Sequence, residues 1–274
     1  MVLIYLLLAL SAERLIDKPK YCQTEFYYDR YMNLVARKKW LVSNAALWQV
    51  MLVWLAPVGL MWAVLYLVDI GIVHFIVTLL VLFVSIGCVE LRASFKCYLA
   101  AAEQGDVATC KMHTEALGLT EHDSRSFGQH LIWLNYQRYA APIIFFVLLG
   151  LPGVVAYSML RILNHHAQST DAPYQYVMAK IVLWVDWLPI RITAFGFLMM
   201  GHFSRALPKW LGFIFDFHTP AKNVLGEVAV AAEDVSVSPE DLSAEAITLV
   251  KLAKRNILFL LALIAILTLS GFIL

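Results

Sequence analysis

Asp186-Trp187-Leu188-Pro189-Ile190-Arg191 puts an acid, a proline and a base inside an apolar run from Ile181 to Gly201. A carboxylate and a guanidinium in a hydrophobic segment are costly in lipid. They are tolerated where they face a cavity, a partner helix or water. The chemistry open to them is anion capture. The planar fork of Arg191 suits phosphate or carboxylate, with Asp186 orienting the arginine or accepting from the ligand. Asp186 and Arg191 are five apart, so an ideal helix does not put them on one face. Pro189 removes the donor to the Val185 carbonyl and can kink the segment. Trp187 and Arg191, four apart, can stack. The alternative is a structural ion pair that locks helices together.

Two further constellations carry polar chemistry. Asn135 and Arg138 sit at i, i+3 beside the Leu131 and Leu134 face, just before Pro142 opens an apolar stretch. A polar pair on an apolar stripe must be paired or wet; the alternative is an interfacial arginine that snorkels among Tyr and Trp anchors. Asp216-Phe217-His218-Thr219-Pro220 precedes a small-residue helix bearing Lys222. Asp216, His218, Thr219 and Lys222 can hold an anion or exchange a proton, or simply cap a helix. His165-His166 could bind a metal, though adjacent histidines in a loop usually have no such role. The chain has no His-Glu-x-x-His, no Gly-x-x-x-x-Gly-Lys and no Gly-x-Ser-x-Gly.

These residues need elements to position them. Of 274 residues, 61% are hydrophobic and 15% charged, against roughly 25% charged in a soluble domain. The shortage is concentrated in long apolar blocks, which makes the class all-α: a polytopic helical membrane protein. Five spans are expected, near 44–68, 72–89, 142–160, 181–201 and 257–274, within a single domain covering 1–274. Met1 to Leu10 lacks a basic n-region, so it reads as a short half-inserted helix and not as a cleaved leader. At about 15 Å it is too short to span. Residues 90–140 read as amphipathic helices broken near Gly105-Asp106 and over Gly118 to Asp123. Residues 163–173 read as a polar loop, and Val235 to Glu245 as a flexible surface loop. Cys22, Cys88, Cys97 and Cys110 form no Cys-x-x-Cys and are read as free thiols.

A net charge of +1 gives no argument for nucleic acid; its distribution does argue for a topology. Residues 11–43, 90–140 and 202–256 hold every Lys and Arg except Arg161, Lys180 and Arg191. By the positive-inside rule these three regions are cytoplasmic and the 161–180 connection lies outside.

A family resemblance now rests on specific residues. Glu13-Arg14-Leu15, Lys96-Cys97-Tyr98-Leu99, Trp133-Leu134-Asn135 through Tyr139-Ala140-Ala141-Pro142, Asp186 to Arg191, Gly201-His202 and Asp216-Phe217-His218-Thr219 together resemble the AmpE family of Gram-negative inner-membrane proteins. Over about residues 90 to 235 the chain is also distantly similar to the CobD/CbiB adenosylcobinamide-phosphate synthases. Where those enzymes carry Glu-Asn-x-x-Asp-Gly, this chain reads Leu134, Asn135 and Arg138. Where they carry a paired Asp-Asp, it has Val182 and Leu183, and Asp186 replaces an Asn. Pro189 and Arg191 match.

The resemblance implies a signalling modulator of β-lactamase induction in the bacterial inner membrane, tied to cell-wall recycling. The reading leans away from an enzyme, without a cofactor, because most acids that would hold the synthases' magnesium are missing. The bilayer is one partner. An anionic nucleotide or muropeptide, bound by Asn135, Arg138, Asp186, Arg191, Asp216, His218, Thr219 and Lys222, is a second. The cytoplasmic anhydromuramyl-peptide amidase is a third. Two alternatives stand beside it. One is a membrane-bound amide-forming ligase using ATP and magnesium. The other is a wall-fragment transporter, for which no paired broken helices in corresponding halves are evident.

Overall fold

The computed structural model describes residues 1–16, 18–19, 22–37, 47–67, 71–119, 123, 125–233 and 243–272. Its regular structure there is helical: α1 Val2–Leu15, α2 Thr24–Arg37, α3 Leu47–Leu67, α4 Gly71–Ser85, α5 Val89–Glu103, α6 Val107–Ala116, α7 Phe127–Asn135, a π-helical turn Tyr136–Ala140, α8 Ala141–Ser169, α9 Gln175–Met200, α10 Phe203–Phe213, α11 Ala221–Ala232 and α12 Ala244–Leu269. Among the described residues five stretches are long and apolar enough to cross a membrane: Leu47–Leu67, Gly71–Glu103, Phe127–Ser169, Gln175–Met200 and Ala244–Leu269. Most of the loop expected over Val235 to Glu245, and the Asp69-Ile70 turn, lie outside the described residues.

The chain divides into two compact units, Met1–Gly87 with Ala141–Asp186 and Ile264–Leu274, and Cys88–Ala140 with Trp187–Leu263. In the first unit, α3 and α4 turn large apolar side chains outward, Leu55, Leu60 and Ile72 among them, as a helix must where lipid is the solvent. Polar tips close the inner contacts. Trp54 Nε1 on α3 donates to the Ala156 carbonyl of α8 at 2.8 Å, and Tyr31 and Tyr28 on α2 donate to the Val53 and Ile162 carbonyls. Tyr5 of α1 meets the rings of Phe75 and Phe146. Lys18, expected as a cytoplasmic loop charge, is buried. Its ammonium donates to the Phe83 and Ile86 carbonyls and lies over the Phe83 ring, which places a cation on the carbonyl end of α4.

The α8 helix extends through the expected 163–173 loop as far as Ser169. Its start follows from Pro142, which has no N–H for the Arg138 carbonyl. The chain takes a π turn over Tyr136–Ala140 just before it, a local shift of register typical of such turns. Gly150 breaks the helix with φ 68° and ψ −158°, a conformation essentially reserved for glycine, and Pro152 then sits in the first turn of the continuing segment. Gly150→Ala is expected to destabilise the protein by about 1–3 kcal/mol, read as a lower thermal midpoint in detergent. By contrast α9 runs unbroken through Pro189.

The second unit begins with the α5–α6 hairpin. Asp106 caps α6 by accepting from the Thr109 N–H at 3.0 Å, and its hydrogen bonds to Thr109 hold the carboxyl below the usual carboxylate range. Ser126 and Gln129 cap α7 reciprocally. Tyr98, Ala101, Cys110, Leu131 and Ala246 form one buried core. Small residues set the helix crossings. Gly226 of α11 lies against Gln129 of α7, and Gly128 lies against Leu249 and Glu245 of α12. Gly201 abuts the Ala232 backbone, whose carbonyl accepts from the His202 N–H at 2.6 Å.

Candidate functional site

The two charges of α9 make different bonds in different units. Asp186, fully buried, closes the first unit's share of the helix. Its Oδ2 accepts from Arg161 Nη2 of α8 at 2.7 Å. Arg161 in turn donates through Nε to the Tyr157 hydroxyl at 2.9 Å and lies against that ring. Five-residue spacing separates Asp186 and Arg191 around the helix, so the acid meets a neighbour that sequence order does not suggest. The positive-inside reading puts Arg161 only at the edge of the outer 161–180 connection, with no partner named. Its position four residues after Tyr157, on an apolar helix, was the available signal.

Arg191 belongs to the second unit with Trp187. Its Nη1 donates to the Trp187 carbonyl at 3.1 Å, and Nη2 donates to the carbonyls of Phe213, at 2.8 Å, and Asp216. The guanidinium lies over the Trp187 ring, 5.0 Å from its centroid. Trp187 also stacks on Phe217, centroids 5.0 Å apart and planes 6° off parallel. The Arg191 carbonyl accepts from Trp210 Nε1 of α10 at 3.2 Å. One side chain thus binds the carbonyl end of α10 and the turn that follows it to α9.

That turn is held from within by Asp216. Its carboxylate accepts from the N–H groups of His218 and Thr219 and from the Thr219 hydroxyl. The Thr219 hydroxyl bond, then the backbone bonds, keep the carboxyl below the ordinary range. His218 is fully exposed, and Lys222 stands half-buried in the first turn of α11. Asn135 ends α7, and Arg138 lies in the π turn with Tyr136. The Tyr136 phenol and the Asp216 carboxylate are both electrostatic neighbours of Arg191. Of the expected site residues, the structure therefore brings Arg191 and Asp216 together, with His218 and Thr219 bonded to the Asp216 carboxylate. Asp186 pairs instead with Arg161.

Two donors in this arrangement have no acceptor. Arg191 Nε and Trp187 Nε1 are buried without a hydrogen-bond partner among the described residues. They project from one helix, one turn apart. A buried N–H left unmade costs about 1–3 kcal/mol, so an acceptor group supplied to both would be favoured. The site can do anion or acceptor binding. Among the described residues no group of three His, Cys, Asp or Glu is placed to hold a metal ion.

A curated relative, Protein AmpE of Shigella flexneri, is 29% identical over 213 residues, covering 72% of this chain and 74% of that protein. No solved structure matches. The family model described as "Regulatory signalling modulator protein AmpE" matches residues 1–274, so this multi-helical chain, with its arginine-held turn after α10, belongs to the AmpE family of regulatory signalling modulators.

Proposed function

We propose that the protein is an inner-membrane signalling modulator of β-lactamase induction, coupled to cell-wall recycling. On this reading residues 11–43, 90–140 and 202–256 face the cytoplasm, where Lys and Arg are concentrated. The ligand is an anionic small molecule of the nucleotide or muropeptide class, held at Arg191 and Trp187. The cytoplasmic partner is the anhydromuramyl-peptide amidase. The observation that carries the ligand reading is the pair of buried, unpartnered N–H groups at Trp187 Nε1 and Arg191 Nε. The Arg191 fork already holds the Phe213–Asp216 turn, so a ligand accepting from Nε reports directly on how that turn is held. This supplies a differential contact, which any ligand-driven switch requires.

The test is native mass spectrometry of the purified protein in its own lipid, wild type beside Trp187→Phe. Phenylalanine keeps an aromatic ring against Phe217 and removes only the Nε1 donor. Wild type is expected to carry a small anionic mass. Trp187→Phe is expected to retain it about tenfold more weakly, the value of one hydrogen bond to a charged group. Equal retention would refute the site, and a wild-type protein free of any such mass would refute ligand binding.

A further inference from the structure

A second set of unpartnered groups lies about the start of α7, with Lys222 in the first turn of α11 as an electrostatic neighbour. Arg125 donates through Nε to Asp123 Oδ1 at 2.7 Å and through Nη2 to Asp123 Oδ2. Its side chain is only 8% exposed. The remaining terminal nitrogen, Nη1, is buried and has no acceptor among the described residues. His130, 6% exposed, bonds through Nε2 to the Leu117 carbonyl at 2.9 Å. A carbonyl only accepts, so Nε2 carries the hydrogen and Nδ1 of the neutral ring is a lone pair. That Nδ1 is also buried and has no partner among the described residues.

The two orphans are complementary to one ligand group. Arg125 Nη1 needs an acceptor, and His130 Nδ1 needs a donor. Lys222 is an electrostatic neighbour of both Asp123 and His130, and Arg125 is a neighbour of His130. The helix geometry agrees. Gly226 packs on Gln129; Lys222 stands one turn before the first, and Arg125 immediately precedes the Ser126 cap of the helix that carries the second. The α11 N-terminus has no side-chain cap, and its first N–H groups add positive potential. Among the described residues, the charged neighbours of Asp123 and His130 are Arg125 and Lys222 against Asp123 itself, with Glu245 of α12 bonded to Ser126. Of these, Asp123 is paired with Arg125 and Glu245 accepts from the Ser126 cap.

We propose that Arg125, His130 and Lys222 form a binding site for a phosphate monoester or hydrogenphosphate. One phosphate oxygen accepts from Arg125 Nη1, and a second is charge-paired with Lys222. A third shares a proton with His130 Nδ1, which lies on either atom of that bond. A fully ionised carboxylate offers the acceptors but no such proton, so the group favoured is one whose second ionisation lies near pH 6, as phosphate monoesters do. The source is either a free phosphorylated metabolite or the headgroup of a lipid phosphomonoester, and the chemistry is shared.

The experiment uses the full-length protein with two probes. Inorganic phosphate is titrated by calorimetry in detergent, and nanodiscs with and without phosphatidic acid are compared for lipid retained through purification. Variants are Arg125→Gln and Lys222→Gln; the second changes a half-buried residue in the first turn of α11 and is expected to fold as wild type. Wild type is expected to bind inorganic phosphate at millimolar or lower concentration, and each variant to weaken it about tenfold. Selective phosphatidic acid retention, lost in Lys222→Gln, assigns the lipid source; phosphate binding without it assigns the free one. Absence of binding to both probes overturns the proposal and leaves the two orphans bridged by water. So does binding that both variants leave unchanged. Trp187→Phe is expected to leave phosphate binding unaltered, which separates this site from the one on α9.

Discussion

Arg161→Ala is expected to cost about 3–5 kcal/mol, the range found when one partner of a buried ion pair is removed. Asp186 is wholly inaccessible, and Arg161 Nη2 bonds it at 2.7 Å. Truncating the arginine removes the countercharge from a buried carboxylate, which must either stay charged without Arg161 or take up a proton. Asp186→Ala strands the guanidinium instead and is expected to cost less, because Arg161 is 14% exposed and keeps the Tyr157 hydroxyl. Replacing both, as Arg161→Met with Asp186→Leu, is expected to recover most of the loss, since buried pairs are often replaced by apolar residues at little cost. The measurement is a double-mutant cycle on thermal or denaturant unfolding in detergent, alongside membrane accumulation. Additive losses would show that the pair is not a unit.

Arg191→Ala is expected to act differently. It removes donors from the Trp187, Phe213 and Asp216 carbonyls. Trp187 O still accepts within α9, but Phe213 and Asp216 lose charge-assisted bonds worth about 1.5–3 kcal/mol each. The expected result is a protein that still inserts and accumulates, with the segment from Phe213 to Thr219 released. Limited proteolysis after Phe213, Phe215 or Phe217 is expected to rise at least tenfold, the population change that follows from about 1.4 kcal/mol of local opening. Arg191→Lys keeps the charge but cannot bond three carbonyls with a planar fork, and is expected to resemble Ala more than wild type. Unchanged protease resistance in both variants would show that the turn is held by Asp216 and the Trp187–Phe217 stack alone.

The helical class was legible because lipid imposes a simple rule on composition: long apolar runs must satisfy their own backbone. The break at Gly105-Asp106, and the one beginning at Gly118 after α6, were legible because turn residues act locally. The α8 helix was harder. His165, His166 and Gln168 look like a loop, yet they continue the helix to Ser169, because tertiary packing of Leu160, Leu163 and Ala167 outweighs a polar surface. The α9 motif was recognised as an anomaly, and the five-residue spacing correctly warned against an Asp186–Arg191 pair on one face. The actual partner, Arg161, is 25 residues away in the chain, and the partners of Arg191 are backbone carbonyls, which are anonymous in a sequence. Arg125 and His130 were missed for the same reason. Their interest lies in atoms left without partners, a property of packing that no residue pattern encodes.

On the proposed function, the turn held by Arg191 is the signalling element. It is tested by β-lactamase induction in an inducible host lacking its own AmpE, complemented with wild type, Arg191→Gln or the Arg161→Met/Asp186→Leu double variant, all at matched membrane levels. Wild type and the double variant are expected to restore the same induction response, whereas Arg191→Gln is expected to leave the host as it was without complementation. Full restoration by Arg191→Gln at matched levels would contradict it.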